Sequence, residues 1–292
     1  MSSYTTLIRA DELQALRASG APRVVVDASF DLADTAWGAR EWRSAHLPGS
    51  IHLDLDRDLS GVKTGTNGRH PLPERAAFRA LLGRIGVAPG VQVVALDRNG
   101  DVYAARVWWL LRWAGHCEVA VLDGGLRAWS EAGGEVVAAD AGAATPASTA
   151  VPTQASAAGG DERAIPPVID AERLAAGLGR LRVIDARAAE RFRGDVEPLD
   201  AVAGHIPGAL NRFWKDNLDA SGRWKTSAQL RAEFEPLLGG QGPEAVVHQC
   251  GSGVTACHNL LAMEHAGLAG SMLYPGSWSE WSSDPQRPVA RG

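Results

Sequence analysis

The sequence predicts an α/β protein built as two tandem domains, each a mainly parallel sheet flanked by helices. Short β-branched runs alternate with helical patterns, as they do in strand–helix units around a parallel sheet. The order of these segments occurs twice along the chain, and a stretch almost without large apolar residues separates the two copies. A length of 292 residues suits this arrangement, since domains commonly run about 100–150 residues.

Taken in order, residues 7–16 carry a short helical pattern, and Arg23-Val24-Val25-Val26-Asp27 reads as a buried strand ending in an acid. Its counterpart in the second copy is Leu181-Arg182-Val183-Ile184-Asp185. After the first strand comes Ala45-His46-Leu47-Pro48-Gly49-Ser50-Ile51, and after the second comes Gly204-His205-Ile206-Pro207-Gly208-Ala209-Leu210. A third pair consists of residues 91–96 leading into Asp97, and Ala245-Val246-Val247 leading into His248-Gln249-Cys250. Helices are expected over 102–114 and 254–266, which makes the loop at Asp97 one residue longer than the loop at Cys250. The closing segments, 119–129 and 271–281, also correspond. A repeat of this length is a duplicated domain and not a solenoid module. The expected boundaries are a first domain over 1–135, a linker over 136–167 rich in Ala, Gly, Thr, Ser and Pro, and a second domain over 168–292.

Composition narrows the function classes. The net charge is −5 with Lys and Arg dispersed, which offers no basic patch for nucleic acid or an anionic membrane. No apolar run approaches the length of a membrane span. Residues 1–20 include Asp11 and Glu12 and lack a long apolar core, which argues against a signal or transit peptide. The three cysteines, Cys117, Cys250 and Cys257, are odd in number and have no framework spacing, so a reducing, cytoplasmic location is expected. No metal-ligand spacing is seen, and neither metal nor organic cofactor is expected.

The candidate nucleophile is Cys250, at the mouth of a strand–loop–helix turn. Gly251 and Gly253 let the backbone curl so that the N–H groups of the loop through Val254 and Thr255 point inward, as a nest for an anion. The following helix adds its positive end. A thiol so placed is set to react as the thiolate, its nucleophilic form. In the first copy the corresponding residue is Asp97, so that loop cannot perform thiol chemistry and is expected to shape the cleft. His46 and His205 recur in both copies, including the one without a cysteine, and are therefore assigned to the fold. Trp278, Trp281 and Cys257 are assigned to packing.

The segments Asp185-Ala186-Arg187, Gly204-His205-Ile206-Pro207-Gly208-Ala209, Cys250-Gly251-Ser252-Gly253-Val254-Thr255-Ala256 and Trp278-Ser279-Glu280-Trp281, set on a duplicated α/β domain, closely resemble the rhodanese superfamily of sulfurtransferases. The resemblance spans nearly the whole chain outside the linker. It implies two rhodanese-like domains, the first without the catalytic cysteine. Within the superfamily, the neutral Gly251-Ser252 pair is similar to members that take 3-mercaptopyruvate, whereas thiosulfate-using members carry basic residues there. The Cys-x5-Arg loop of rhodanese-like phosphatases is absent, because the sixth residue after Cys250 is Ala256.

The resemblance implies that Arg187 forks onto the donor carboxylate, assisted by Arg191, with Arg193 a further candidate. Glu197-Pro198-Leu199 supplies no additional basic residue ahead of the second Gly-His-Ile-Pro-Gly. It also implies a relay of Ser252, His70 and Asp56, with Asp54 and Asp58 competing for the acid's place and residues 61–68 flexible enough to bring His70 across. The implied reaction passes sulfur from 3-mercaptopyruvate to Cys250 as a persulfide, releases pyruvate, and hands the sulfur to cyanide or to a thiol of a small molecule or thioredoxin-like protein. A thiosulfate:cyanide sulfurtransferase and a non-catalytic persulfide carrier are the alternatives.

Overall fold

The computed structural model of the chain describes residues 3–139 and 165–292, so of the expected linker residues 140–164 lie outside the described residues. The chain divides into two compact units. The first comprises Met1–Ser60 with Pro73–Ile165, and the second comprises Gly61–Leu72 with Pro166–Gly292. The short segment Gly61–Leu72 thus comes from the first half of the sequence yet folds with the second unit.

The first unit holds β1 (Leu7–Ile8), α1 (Ala10–Ala18), β2 (Arg23–Asp27), α2 (Trp37–Ser44), β3 (Ile51–His52), α3 (Arg75–Arg84), β4 (Gln92–Leu96), α4 (Val102–Trp113), β5 (Val119–Leu122) and α5 (Gly125–Glu131). Its strands are parallel in the order β1-β5-β4-β2-β3. A central parallel strand is covered on both faces and reads as a continuous apolar run, which is why β4 is buried along its whole length. The helical reading of residues 7–16 is corrected at its start. Leu7 and Ile8 pair with Val121 and Leu122, and the helix begins only after Arg9, whose N–H donates to Glu12 at 2.8 Å.

The second unit holds α6 (Ala171–Gly177), β6 (Arg182–Asp185), α7 (Ala189–Arg193), β7 (Leu210–Asn211), α8 (Ser227–Leu238), β8 (Val246–Gln249), α9 (Ala256–His265), β9 (Met272–Leu273) and α10 (Ser277–Trp281). Its parallel order is β7-β6-β8-β9, and Val168 adds a single parallel bridge to Leu273 where the first unit has β1. Ile169, Leu174, Ile206, Val247, Trp278 and Trp281 lie in its core.

Both units close with the same devices. His46 Nδ1 bonds the Trp42 carbonyl at 2.8 Å and its ring stacks on Trp42; His205 Nδ1 bonds the Phe192 carbonyl at 2.8 Å and stacks on Phe192. Each histidine's backbone also bridges the tail of its unit, at Val137 and at Ala290. Trp129 and Trp281 donate their ring N–H to the tail carbonyls of Glu135 and Pro288. A stacked imidazole bonded through Nδ1 and a buried indole bonded through its N–H are held by their own unit, so these residues serve the fold.

Candidate active site

The register of the two sheets fixes which residues correspond. Asp27 pairs with Leu96 and Asp185 with Gln249, so Asp97 and Cys250 each follow the central strand directly. Helix α9 starts at Ala256 and not at Val254, which makes the Cys250 loop one residue longer than the Asp97 loop, the reverse of the expectation. The two loops treat their N–H groups differently. In the first unit the Asp97 carboxylate accepts from the N–H groups of Asn99, Asp101, Tyr103 and Ala104 at 2.7–3.0 Å. Burial pushes this carboxyl above its ordinary range, and those four bonds oppose the push. The first loop is thus a nest filled by its own side chain.

In the second unit a sulfur stands in that place. Cys250 is buried, at 2 % exposure, and Gly253 donates its N–H to Cys250 Sγ at 3.1 Å. Gly253 has φ 76°, and a Cβ there would meet the Pro275 carbonyl oxygen at 2.3 Å, so only glycine fits. Among the described residues, the N–H groups of Ser252, Val254 and Thr255 meet no acceptor. The Cys250 N–H is held by Ser277 Oγ at 3.1 Å, and its carbonyl accepts from Trp278 at 2.9 Å. Cys257 Sγ contacts the Gly253 carbonyl from the first turn of α9 at 3.4 Å, which ties it to the loop backbone.

Ser252 Oγ lies 2.7 Å from His70 Nδ1, both side chains being buried. Gly68, at φ 82° and tight against the Gly276 backbone, shapes the approach of the segment carrying His70. Asp56 lies in the first unit, in a turn where Asp54 accepts from the N–H groups of Asp56 and Arg57 while Asp58 pairs with Arg57. The two competing acids are therefore both engaged locally.

The arginines divide in a way the sequence did not show. Arg187 is 3 % exposed and its guanidinium is consumed by Asp185 at 2.7 Å, the Gly204 carbonyl at 2.7 Å and Glu197 at 3.3 Å, with its plane over the Trp278 ring. In the first unit Arg98 does the same for the equivalent atoms, bonding Asp27 at 2.7 Å and the Ala45 carbonyl. Asp27 and Asp185 are equivalent strand ends, and Ala45 and Gly204 each precede the stacked histidine. A unit without a nucleophile keeps the same arginine–aspartate clamp, so Arg187 is framework. This corrects the expectation that its fork is open to a donor. Arg193 pairs with Asp195 at the surface.

The guanidinium groups that do reach the loop are Arg191 and Arg69. A Cβ on Gly251 would lie 2.8 Å from Arg69 Nη2 and 3.5 Å from Arg191 Nη1. Arg191 bonds Glu197 at 2.6 Å, while Asp200 pairs with both Arg69 and Arg191. Burial raises the Glu197 carboxyl, but hydrogen bonds from Arg191 and from the N–H groups of Leu199 and Asp200 outweigh it and hold that acid below its ordinary range. The loop is neutral in its own sequence yet has positive charge beside it. Ser277 and Arg69 were missed because neither is near Cys250 in sequence.

A parallel sheet in each unit, a duplicated framework and a cysteine nest in one copy define the class. The rhodanese-like domain model matches residues 9–132 and 170–284, and the chain belongs to the rhodanese family. It is 45 % identical to a Pseudomonas aeruginosa protein named a probable 3-mercaptopyruvate sulfurtransferase, across 99 % of both chains. It is 32 % identical to the thiosulfate sulfurtransferase of Gallus gallus, across 92 % of this chain and 90 % of that one. Among solved structures, 3-mercaptopyruvate sulfurtransferase from Leishmania major superposes with a TM-score of 0.81 at 26 % identity, over 98 % of this chain and 76 % of that one. No helix among the described residues is long and apolar enough to cross a membrane.

Proposed function

We propose that this chain is a sulfurtransferase that takes sulfur from 3-mercaptopyruvate as a Cys250 persulfide, releases pyruvate, and passes the sulfur to cyanide or a thiol. The observation that carries the reading is a buried sulfur at the end of β8 that accepts the Gly253 N–H, in a loop where the N–H groups of Ser252, Val254 and Thr255 meet no acceptor among the described residues. Donors so placed stabilise charge on a sulfur added to Sγ. The Cys250 thiolate attacks the donor sulfur, an S–S bond forms, and the C–S bond breaks with its electron pair going to the pyruvate enolate. The Ser252–His70 pair manages the donor's thiol proton and protonates the enolate carbon. For Asp56 the ground is the resemblance, which implies an acid orienting the imidazole. An acceptor then attacks the outer sulfur and Cys250 leaves as thiolate. A thioredoxin-like protein and a reducing, cytoplasmic setting fit three free thiols.

Arg69 and Arg191 beside the loop favour a second reading, thiosulfate as donor, because a dianion gains from both charges. Sulfur transfer to cyanide from the two donors separates them. The first reading expects a higher kcat/KM for 3-mercaptopyruvate with stoichiometric pyruvate, and a higher value for thiosulfate overturns it. Cys250→Ser is expected to abolish turnover, and full activity in that variant would exclude every persulfide route. A mere persulfide carrier would add one sulfur to Cys250 without steady-state pyruvate release.

A further inference from the structure

The segment Gly61–Leu72 does more than bring His70 to the second unit. We infer that Arg69 is a donor-binding and specificity-determining residue, which together with Arg191 holds the carboxylate of the donor over Gly251. The inference rests on the donor reading above and adds a residue to its site.

Arg187, the arginine that the motif nominates, is buried and engaged by Asp185, Glu197 and the Gly204 carbonyl, as Arg98 is in the cysteine-free unit. Arg69 Nη2, by contrast, is the polar group that a Gly251 Cβ would meet first, at 2.8 Å. The backbone holds Arg69 in place: its N–H donates to Ser279 Oγ at 3.0 Å, and Ser279 in turn donates its own N–H to the Gly251 carbonyl at 3.0 Å. The same α10 turn therefore positions both the loop and the arginine. Asp200, 7 % exposed at its side chain, pairs with Arg69 through Nη1 and leaves Nη2 directed at the loop. Arg191 stands beside it, with Nη1 3.5 Å and Nη2 3.7 Å from the same Cβ position. A carboxylate lodged between the two guanidinium groups supplies acceptors for both. Glycine at position 251 follows from this, because any side chain there displaces the Arg69 head from the loop.

The test compares two donors that differ only in the proposed contact: 3-mercaptopyruvate, and mercaptoacetone, which has methyl in place of carboxylate. Arg69→Gln is expected to lower the ratio of their kcat/KM values by about tenfold or more, as loss of a charge-assisted hydrogen bond does. Arg69→Lys keeps charge without the fork and is expected to recover part of the ratio. Gly251→Ala, whose backbone is outside the left-handed region and whose new methyl meets only the ends of the Arg69 and Arg191 side chains, is expected to shift the ratio the same way. Equal losses for both donors, or no change in the ratio, overturn the proposal. Calorimetric binding of pyruvate needs no turnover and tests the contact by itself: weaker binding by Arg69→Gln supports it and unchanged binding overturns it. Absence of pyruvate release from 3-mercaptopyruvate by the unaltered protein would instead be a failure of the donor reading.

Discussion

Ser277 carries a left-handed backbone, φ 53°, one of two such non-glycine positions among the described residues. A non-glycine residue there costs about 1–2 kcal/mol, and the structure shows what offsets it. Ser277 Oγ accepts the Cys250 N–H at 3.1 Å and donates to the Tyr274 carbonyl at 2.9 Å, so one hydroxyl fixes the start of the loop and the turn before α10 together. Replacing it by alanine leaves the buried Cys250 N–H without an acceptor and keeps the backbone cost. Ser277→Ala is expected to destabilise the protein by about 1–3 kcal/mol and to slow persulfide formation on Cys250. Ser277→Gly loses the same bonds but removes the left-handed cost, so its unfolding midpoint in urea should lie above that of Ser277→Ala. The reverse order would mean that the left-handed backbone at this position carries no cost for a non-glycine residue.

At the scale of the element, the two strand–loop–helix turns are an internal comparison between a filled and an open nest. The Asp97 carboxylate supplies acceptors to four N–H groups through two oxygens. Asparagine keeps one of those oxygens and presents an amide NH2 to the other pair. Asp97→Asn is therefore expected to cost about 2–4 kcal/mol, seen as an earlier thermal transition, and a change well under 1 kcal/mol would show that the nest does not depend on the carboxylate. These turns were legible in the sequence because strand, glycines and helix are contiguous, and the local pattern fixes them. What escaped was everything set by distant parts of the chain. Arg98 and Arg187 perform the same clamp from different loops, so a linear motif assigned Arg187 to the donor when its counterpart could not be recognised. The neutrality of Gly251-Ser252 was read correctly as sequence and incompletely as electrostatics, since Arg69 arrives from 182 positions away. The helix start after Cys250 was misplaced by two residues because Val254 and Thr255 continue the apolar pattern while their backbone still belongs to the loop.

At the scale of the molecule, the duplicated framework and the unduplicated loop separate stability from chemistry, and pH is the variable that distinguishes them. His248 lies on β8, two residues before the nucleophile, wholly buried with Nε2 against Met263 Sδ at 3.0 Å. Burial alone pushes its pKa down to about 3, and burial also lowers that of His116 in the first unit. When the folded pKa is depressed, the unfolded chain binds the proton first, so between about pH 6.5 and 3 the unfolded state carries more protons and stability rises with pH. The contribution is fully present above the unfolded histidine value and is lost on acidification below it. The depressed Glu197 acts in the same direction but only at lower pH, below the ordinary carboxylate value, while the raised carboxyls of Asp97 and Glu280 act in the opposite direction, so the histidine part of the slope from about pH 6.5 to 5 is read from the difference between a histidine variant and the unaltered protein. His248→Leu removes one such group without introducing a charge. Its melting temperature is expected to fall less steeply than that of the unaltered protein when the pH is lowered from about 6.5 to 5, with His116 accounting for part of the slope that remains. An unchanged slope would show that His248 does not resist protonation, and a steeper one would reverse the sign of its contribution.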